Sequence, residues 1–475
     1  MNISKYSLKS PPEKVMKNAG FEEIPPIHQT HYSVNTPTSA RTISSEVSRN
    51  RLISIFRNPY LLFSPFLLLF ILIVLRFNNN VFENDEQRYI QFSKNLLNGF
   101  YSPPAPDINL WNGPGYPLIL MPFVAFKINP VYITLLNTVF YYLSIVFLFK
   151  ALIQLTNFKS ALAFCLFWGS YYTAYIQLPL VYTESLVYML MSLLVFYVTK
   201  AFQENQRKYL FLSGATVGFI VLTKIIFGYV VLGMVISFIC LILINRNCIN
   251  YKKSLVILSI GFLTFSPYLF YTYRITHKPF YFGNSGGVLL YWMSTPFESE
   301  VGDWKDLNLE TAYKPGSTIP FHADSLLKLH HQKFHVLILQ KKGIARDEAF
   351  KEAAIHNIKS HPRKFIKNWV ANIGRLLYDF PNSYVYQNST QLFKLPMNTI
   401  TVLLSIFCMV PTFANWKKTA FSIKFLLFFT LVYLAPTTLL SAYSRFFNVI
   451  VPILLTWNAY VIYRCIAIKI NFRNS

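Results

Sequence analysis

The sequence predicts an all-α polytopic membrane protein. It has about ten transmembrane helices, surface helices in a first outer loop, and a mainly helical outer domain. Three observations carry this. Of 475 residues, 53% are hydrophobic and only 13% are charged, about half the ~25% charge of a soluble domain. Aromatic residues reach 17%, which suits side chains that meet lipid and headgroups. Apolar runs recur along the chain at roughly the ~20 residues that a helix needs to cross the hydrocarbon. Such a composition excludes a disordered, fibrous or ordinary water-soluble protein. The net charge of +24 would suit a nucleic-acid binder only if it clustered on a soluble domain, so the basic residues must first be placed relative to a membrane.

The first span is Tyr60–Leu75, too far into the chain and without the small-residue cleavage site of a signal peptide. The others are Val131–Ile153, Ala161–Leu178, Leu186–Thr199, Leu210–Leu222, Tyr229–Ile244, Leu255–Tyr273, Met397–Phe413, Phe425–Leu440 and Phe447–Ile462, of which Leu210–Leu222 is the shortest. With the N-terminus inside, the inner connections carry Lys150 and Lys159; Lys200, Arg207 and Lys208; Arg246, Lys252 and Lys253; and Lys417, Lys418 and Lys424. Arg464, Lys469 and Arg473 follow in the tail. Short cytoplasmic loops collect Lys and Arg in this way, so the charges predict an even number of spans with both ends inside. Among the short outer turns, Lys224 and Arg445 are the exceptions.

Four regions follow. Residues 1–58 are rich in Ser, Pro, Asn and Thr and read as a cytoplasmic, largely disordered leader. Residues 59–274 form the transmembrane core, with a first outer loop at 77–130. Residues 275–395 form the outer domain, and 396–475 the closing spans and a short cytoplasmic tail. No repeat of fixed period occurs. The cysteines Cys165, Cys240, Cys248, Cys408 and Cys465 all lie in spans or at their inner ends, so no disulfide framework is expected.

The first outer loop is the most informative stretch. From Glu83 to Tyr101 it reads E-N-D-E-Q-R-Y-I-Q-F-S-K-N-L-L-N-G-F-Y. Asn84 or Asp85 can cap a helix, Tyr89, Phe92 and Leu96 give one apolar stripe, and Gly99 stops it. Such a helix lies along the membrane surface and presents Asp85 and Glu86 in its first turn. Either these acids merely complement the helix dipole, or one of them is a general base. Further on, Trp111-Asn112-Gly113-Pro114-Gly115-Tyr116-Pro117 forms a tight turn with aromatic residues at headgroup level.

These features together resemble the GT-C glycosyltransferases, closest to the branch of the protein O-mannosyltransferases and the bacterial transferase that places aminoarabinose on lipid A. The acidic pair, the Tyr four residues after Asp85 and the W-N-G-P-G-Y-P turn carry the resemblance. Gly113 departs from the Pro usual at that place. Further similar segments are Tyr182-Thr183-Glu184-Ser185, Leu212–Lys224 with its Leu-Thr-Lys ending, Ala345–Phe365, and Ser441–Phe447 with Pro452. The resemblance covers about residues 59–465. It implies an inverting transfer of a sugar from a polyprenyl-phosphate sugar to a lipid, glycan or protein acceptor on the extracytoplasmic side. It implies no cofactor and no nucleic-acid partner.

Phosphate is a good leaving group, so one base suffices, unlike the two carboxylates of most glycosidases. Asp85 is the expected base, with Glu86 positioning the acceptor or sharing the role. Lys224 and Arg445 suit the lipid phosphate, or simply reach for outer headgroups. Glu184 opens a span, where it is either a site group or a dipole partner. Tyr89, Trp111, Tyr116 and Tyr443 complete the expected substrate-binding set. The outer domain holds seven of the nine histidines, among them His330, His331 and His335. No H-E-x-x-H pattern occurs and no carboxylate adjoins them in sequence, so no metal is expected. Asn388-Ser389-Thr390 is a glycosylation sequon by pattern. The membrane is expected to be a bacterial inner membrane, with the site facing the periplasm or cell exterior. A transporter or flippase of lipid-linked sugars is the alternative, but it would show paired half-sequences, and none is seen. A non-catalytic scaffold would have no reason to place isolated charges at outer turns.

Overall fold

A computed structural model of the chain describes residues 58–78, 82, 85–204, 206–305, 321–384 and 392–465. The chain divides into the units Met1–Ser54 and Ile55–Ser475, and all described residues belong to the second. The leader, Asn84, the sequon and the tail residues Lys469 and Arg473 lie outside the described residues.

The regular elements among the described residues are all helical. In chain order the helices before the outer domain are α1 (Pro59–Leu62), α2 (Ser64–Phe77), α3 (Asp85–Leu97), α4 (Gly115–Ala125), α5 (Pro130–Leu155), α6 (Phe158–Gly169), α7 (Tyr172–Tyr175), α8 (Glu184–Gln203), α9 (Arg207–Thr223), α10 (Ile226–Ile244) and α11 (Ile249–Thr276). The outer segment holds α12 (Gly286–Met293), α13 (Phe321–Leu339), α14 (Gly343–Ser360) and α15 (Pro362–Tyr378). The chain closes with α16 (Leu395–Ala414), α17 (Phe421–Leu439), α18 (Ser444–Asn448) and α19 (Val451–Cys465). Each expected span is helical. Six helices (α5, α8, α10, α11, α16 and α17) are long and apolar enough to cross a membrane, which makes this an integral membrane protein.

Three expected spans are interrupted: Tyr60–Leu75 breaks at Phe63, between α1 and α2, and two others break for local reasons. The run Ala161–Leu178 breaks after Gly169, where Tyr171 leaves the helix and donates its hydroxyl to Asn398 Oδ1 at 2.7 Å. The last span starts as the short α18 and restarts as α19. Pro452 stands at the second residue of α19, where its missing N–H costs little.

Asparagines set several helix starts. Asn58, Asn129 and Asn157 accept from the backbone N–H groups of Tyr60, Val131 and Ser160 at 3.0, 3.0 and 2.9 Å, satisfying donors that the helix leaves unpaired. Helices in lipid adhere through small residues and buried polar pairs. Trp168 Nε1 donates to Ser144 Oγ at 2.8 Å, which meets Ser192 Oγ at 3.0 Å, joining α6, α5 and α8. The 17-residue α9 is held against α11 by backbone approach. A Cβ at Gly218 would stand 2.3 Å from Thr264 Cβ, and one at Gly214 2.5 Å from Ile260 Cβ. This is why the weakest expected span forms part of the bundle.

Gly218→Val should therefore force α9 and α11 apart at a cost of ~1–3 kcal/mol, as overpacking does. Gly233→Ala, whose Cβ would meet only Val432 Cγ1 at 3.4 Å, should be neutral. Thermal melting in detergent checks the contrast.

Candidate active site

Four outer segments converge at one end of the bundle, and each is tied down by its neighbours. The first is α3, which begins at Asp85 as expected and ends before Gly99 at φ +85°. Its buried face rests on α4: Ser93 Oγ donates to the Pro117 carbonyl at 2.8 Å, and Tyr89 meets Tyr116 edge-on at 5.3 Å between ring centres. The second is the turn before α8. Val181 N–H donates to Glu86 Oε1 at 2.7 Å, so the glutamate of α3 fixes the approach to Glu184.

The third is the end of α9, which carries Lys224. The W-N-G-P-G-Y turn lies directly on it. A Cβ at Gly113 would stand 2.0 Å from the Leu222 carbonyl oxygen, and one at Gly115 2.7 Å from Thr223 Oγ1. No side chain larger than hydrogen fits there, which explains the departure from Pro at position 113. The fourth is the turn after α17 with α18, whose second residue is Arg445. Asn372 on α15 donates to the Thr438 and Leu440 carbonyls at 2.8 and 2.7 Å and accepts from Ala442 N–H at 3.0 Å. Asp379, just past α15, accepts from Ser444 N–H at 2.6 Å and from its hydroxyl at 2.7 Å.

At the convergence, Arg445 Nη1 meets Asp85 Oδ2 at 3.0 Å, bridging positions 360 residues apart. Arg88, one helical turn along α3, binds Asp85 Oδ1. Burial alone would raise the Asp85 carboxyl, but the Arg445 and Arg88 guanidiniums outweigh it and hold the group below the ordinary carboxylate range. Lys224 Nζ donates to Glu184 Oε1 at 2.8 Å. The two ion pairs are linked, because Arg445 is drawn to both Glu184 and Asp85. Phe446 joins them as well, with Lys224 and Arg445 lying 5.1 and 5.4 Å from its ring centre.

Exposure separates the acids. The Asp85 and Arg445 side chains keep 20% and 28% of their surface open, whereas Glu184 keeps 3%. Glu86 is buried. Asp85 is thus the acid of the pair that a substrate can reach.

The aromatic residues divide similarly. Trp111 lies under Arg88, 4.7 Å from ring centre to guanidinium carbon. Tyr89 is buried and its hydroxyl accepts from Asn112 Nδ2 at 3.0 Å. Tyr116 stands behind it, within 3.3 Å of Asn137 Oδ1. Tyr443 turns towards the outer domain and donates to the Trp304 carbonyl at 3.2 Å. Two residues not singled out from sequence join the site. Arg88 had a usable signal, since a cation three residues after Asp85 shares its face. Tyr182, 5.4 Å beneath Arg445, had none beyond its place beside Glu184.

Two cavities are lined by residues of the first loop and its neighbours. One of about 410 Å³ is lined by Leu96, Tyr101, Pro114, Leu222, Pro267 and Tyr268, beside the α9 end that carries Lys224. The other, about 210 Å³, is more polar, with Asn109, Trp111, Asn284, Lys342, Arg346 and Asp347 in its wall.

Comparison with known proteins gives one family match, which begins within the first outer loop, after Asp85 and Trp111. Residues 114–271 match the dolichyl-phosphate-mannose-protein mannosyltransferase family. No curated protein matches the chain. Similar solved structures include ArnT from Cupriavidus metallidurans bound to undecaprenyl phosphate, with 11% identity and a TM-score of 0.37 over 85% of this chain and 77% of that one. Another is the archaeal oligosaccharyltransferase AglB from Archaeoglobus fulgidus in complex with an inhibitory peptide and a dolichol-phosphate. It has 11% identity and a TM-score of 0.45 over 84% of this chain and 50% of that one. Over residues 114–271, about a third of its length, the chain is similar to the dolichyl-phosphate-mannose-protein mannosyltransferases, membrane glycosyltransferases of the GT-C kind.

Proposed function

We propose that this protein is an inverting glycosyltransferase. It moves a sugar, a hexose or pentose, from a polyprenyl-phosphate sugar to a lipid, glycan or protein acceptor at the extracytoplasmic face. The observation that carries the reading is one reachable carboxylate, Asp85, held by two guanidiniums beside a lysine. A transfer with a phosphate leaving group needs one base and cations for the departing anion.

In the proposed step Asp85 takes the proton of the acceptor hydroxyl. The acceptor oxygen attacks the anomeric carbon from the face opposite the phosphate. The carbon–oxygen bond to phosphate breaks, and the lipid phosphate leaves with the electron pair. Arg445, with its planar fork of donors, and Lys224 receive that charge. The apolar cavity beside Leu222 and Tyr268 suits the first isoprene units. The polar cavity bordered by Trp111 suits the acceptor, since the same ring holds Arg88 against Asp85.

Without donor, Asp85 is charged but a weak base, because Arg445 and Arg88 stabilise its anion. A donor phosphate competes for Arg445 and loosens that hold, so donor arrival strengthens the base. Glu184 keeps Lys224 in place, Glu86 ties α3 to the α8 turn, and Tyr89, Tyr116 and Tyr443 brace the walls. The absence of cysteine from both long outer regions favours a bacterial inner membrane with the site facing the periplasm or exterior.

In membranes supplied with labelled polyprenyl-phosphate sugar, Asp85→Asn should lose ~10²–10⁴-fold in transfer rate, the range of a general base. Retained transfer would remove Asp85 from that role, and sugar crossing the bilayer without any glycosylated product would mark a transporter.

The pH profile supplies a second check. Activity should fall as the medium is acidified through the depressed Asp85 pKa. Replacing Arg445 with Ala removes a cation that favours the anion, so the acid limb of kcat/KM should move to higher pH. In the native enzyme the limb of kcat, which reports the donor-bound state, should lie above that of kcat/KM.

A further inference from the structure

The outer domain contains a second cluster that transfer does not use. Glu300 follows α12, and His330 and His331 lie on α13. Their ligand atoms all lie within 4.8 Å of one another. His330 Nδ1 meets Glu300 Oε1 at 2.8 Å, and His331 Nε2 meets Oε1 and Oε2 at 3.0 Å each. The sequence-based expectation that no carboxylate attends these histidines is thus corrected, because Glu300 lies 31 residues from His331 and the fold closes the gap.

We propose that Glu300, His330 and His331 bind one divalent transition-metal ion, of which zinc is the best chemical match. Two imidazole nitrogens and one carboxylate oxygen form a ligand set of zinc enzymes and related sites. In a tetrahedral site with arms of ~2.0–2.1 Å, neighbouring ligand atoms stand ~3.3 Å apart. The two histidine–carboxylate separations of 2.8 and 3.0 Å need to open by only a few tenths of an ångström to admit the ion. It would replace the protons that otherwise hold the imidazoles to the carboxylate.

The surroundings hold each ligand in position, as outer partners of metal ligands do. Tyr291 Oη lies 2.7 Å from His331 Nδ1, so a proton on that nitrogen leaves the Nε2 lone pair free for the ion. Phe297 stacks on the His330 ring at 3.8 Å between centres. Thr295 donates to Glu300 Oε2, and Tyr384 Oη donates to Oε1 at 2.8 Å. Lys364 directs its ammonium to the Glu300 carbonyl at 2.5 Å and Asn368 Oδ1 at 2.7 Å, which leaves the carboxylate to the ion. One turn further along α13, His335 is 2% exposed with both ring nitrogens lacking a partner, and its ring stacks on His331 at 5.7 Å. Water would complete the set of ligands around the ion. The ion would cross-link α13 to the segment after α12 in a domain that has no cysteine for a disulfide.

The test uses the full-length protein in detergent, stripped with a chelator, dialysed against zinc and assayed for bound metal. About one equivalent per chain is expected, with a higher melting temperature than the stripped protein, as metal binding stabilises the folded state. Glu300→Gln and His331→Ala should both lose the zinc and its thermal effect, while His356→Ala, at an exposed position of the same domain, should keep both. Should the site variants fail to fold, X-ray absorption of the zinc-loaded wild type decides. Nitrogen and oxygen ligands with two imidazoles support the site. Sulfur ligation, background zinc in the wild type, or equal zinc in Glu300→Gln overturns it and leaves His331 and Glu300 as a simple ion pair.

Discussion

The contact between Arg445 and Asp85 organises the end of the bundle where the charged cluster lies. Charges near a lipid boundary are poorly screened and costly to leave alone. A carboxylate there must find a cation or give up its charge. Asp85 finds two, one from its own helix and one from the closing end of the chain. The second draws α18 onto α3. Because Arg445 is also drawn to Glu184, and Glu184 holds Lys224, one set of alternating charges joins four chain segments.

Such a network has value only if its members are held still. Each charged residue stands on a turn fixed by a different device. Glu86 accepts a backbone N–H from the turn before Glu184, two glycines let the first loop press on the residues before Lys224, and Asn372 and Asp379 fasten the turn before Arg445. The last device reaches in from the outer domain. The segment 275–395 therefore takes part in shaping the charged cluster, since it sets where the guanidinium of Arg445 stands.

The buried polar groups share a further feature. Among the described residues, Asp85, Glu184, Asp303 and Asp379 each pair with a cation. Glu300 shows the strongest case: burial would raise its carboxyl, yet the His331, Thr295 and His330 bonds hold it near a pKa of about 2. His335 beside it is pushed the other way, down to about 4, because burial and the neighbouring His331 disfavour its charge.

Apolar runs determined the helical membrane character of the chain, because lipid allows few alternatives and reads local sequence directly. The ends of α3 at Asp85 and Gly99 were likewise legible, since capping and stopping are local events. The isolated outer charges were visible as exceptions to a rule. What the sequence could not decide was how they pair. Glu86 and Asp85 are neighbours with the same chemistry, yet one turns inward to a backbone amide and the other outward to two guanidiniums. Tyr443 adjoins Arg445 but faces a different domain. Glu300 and the histidines looked unrelated until the fold brought them together. Those choices depend on contacts across hundreds of residues, and only the tertiary packing sets such distances.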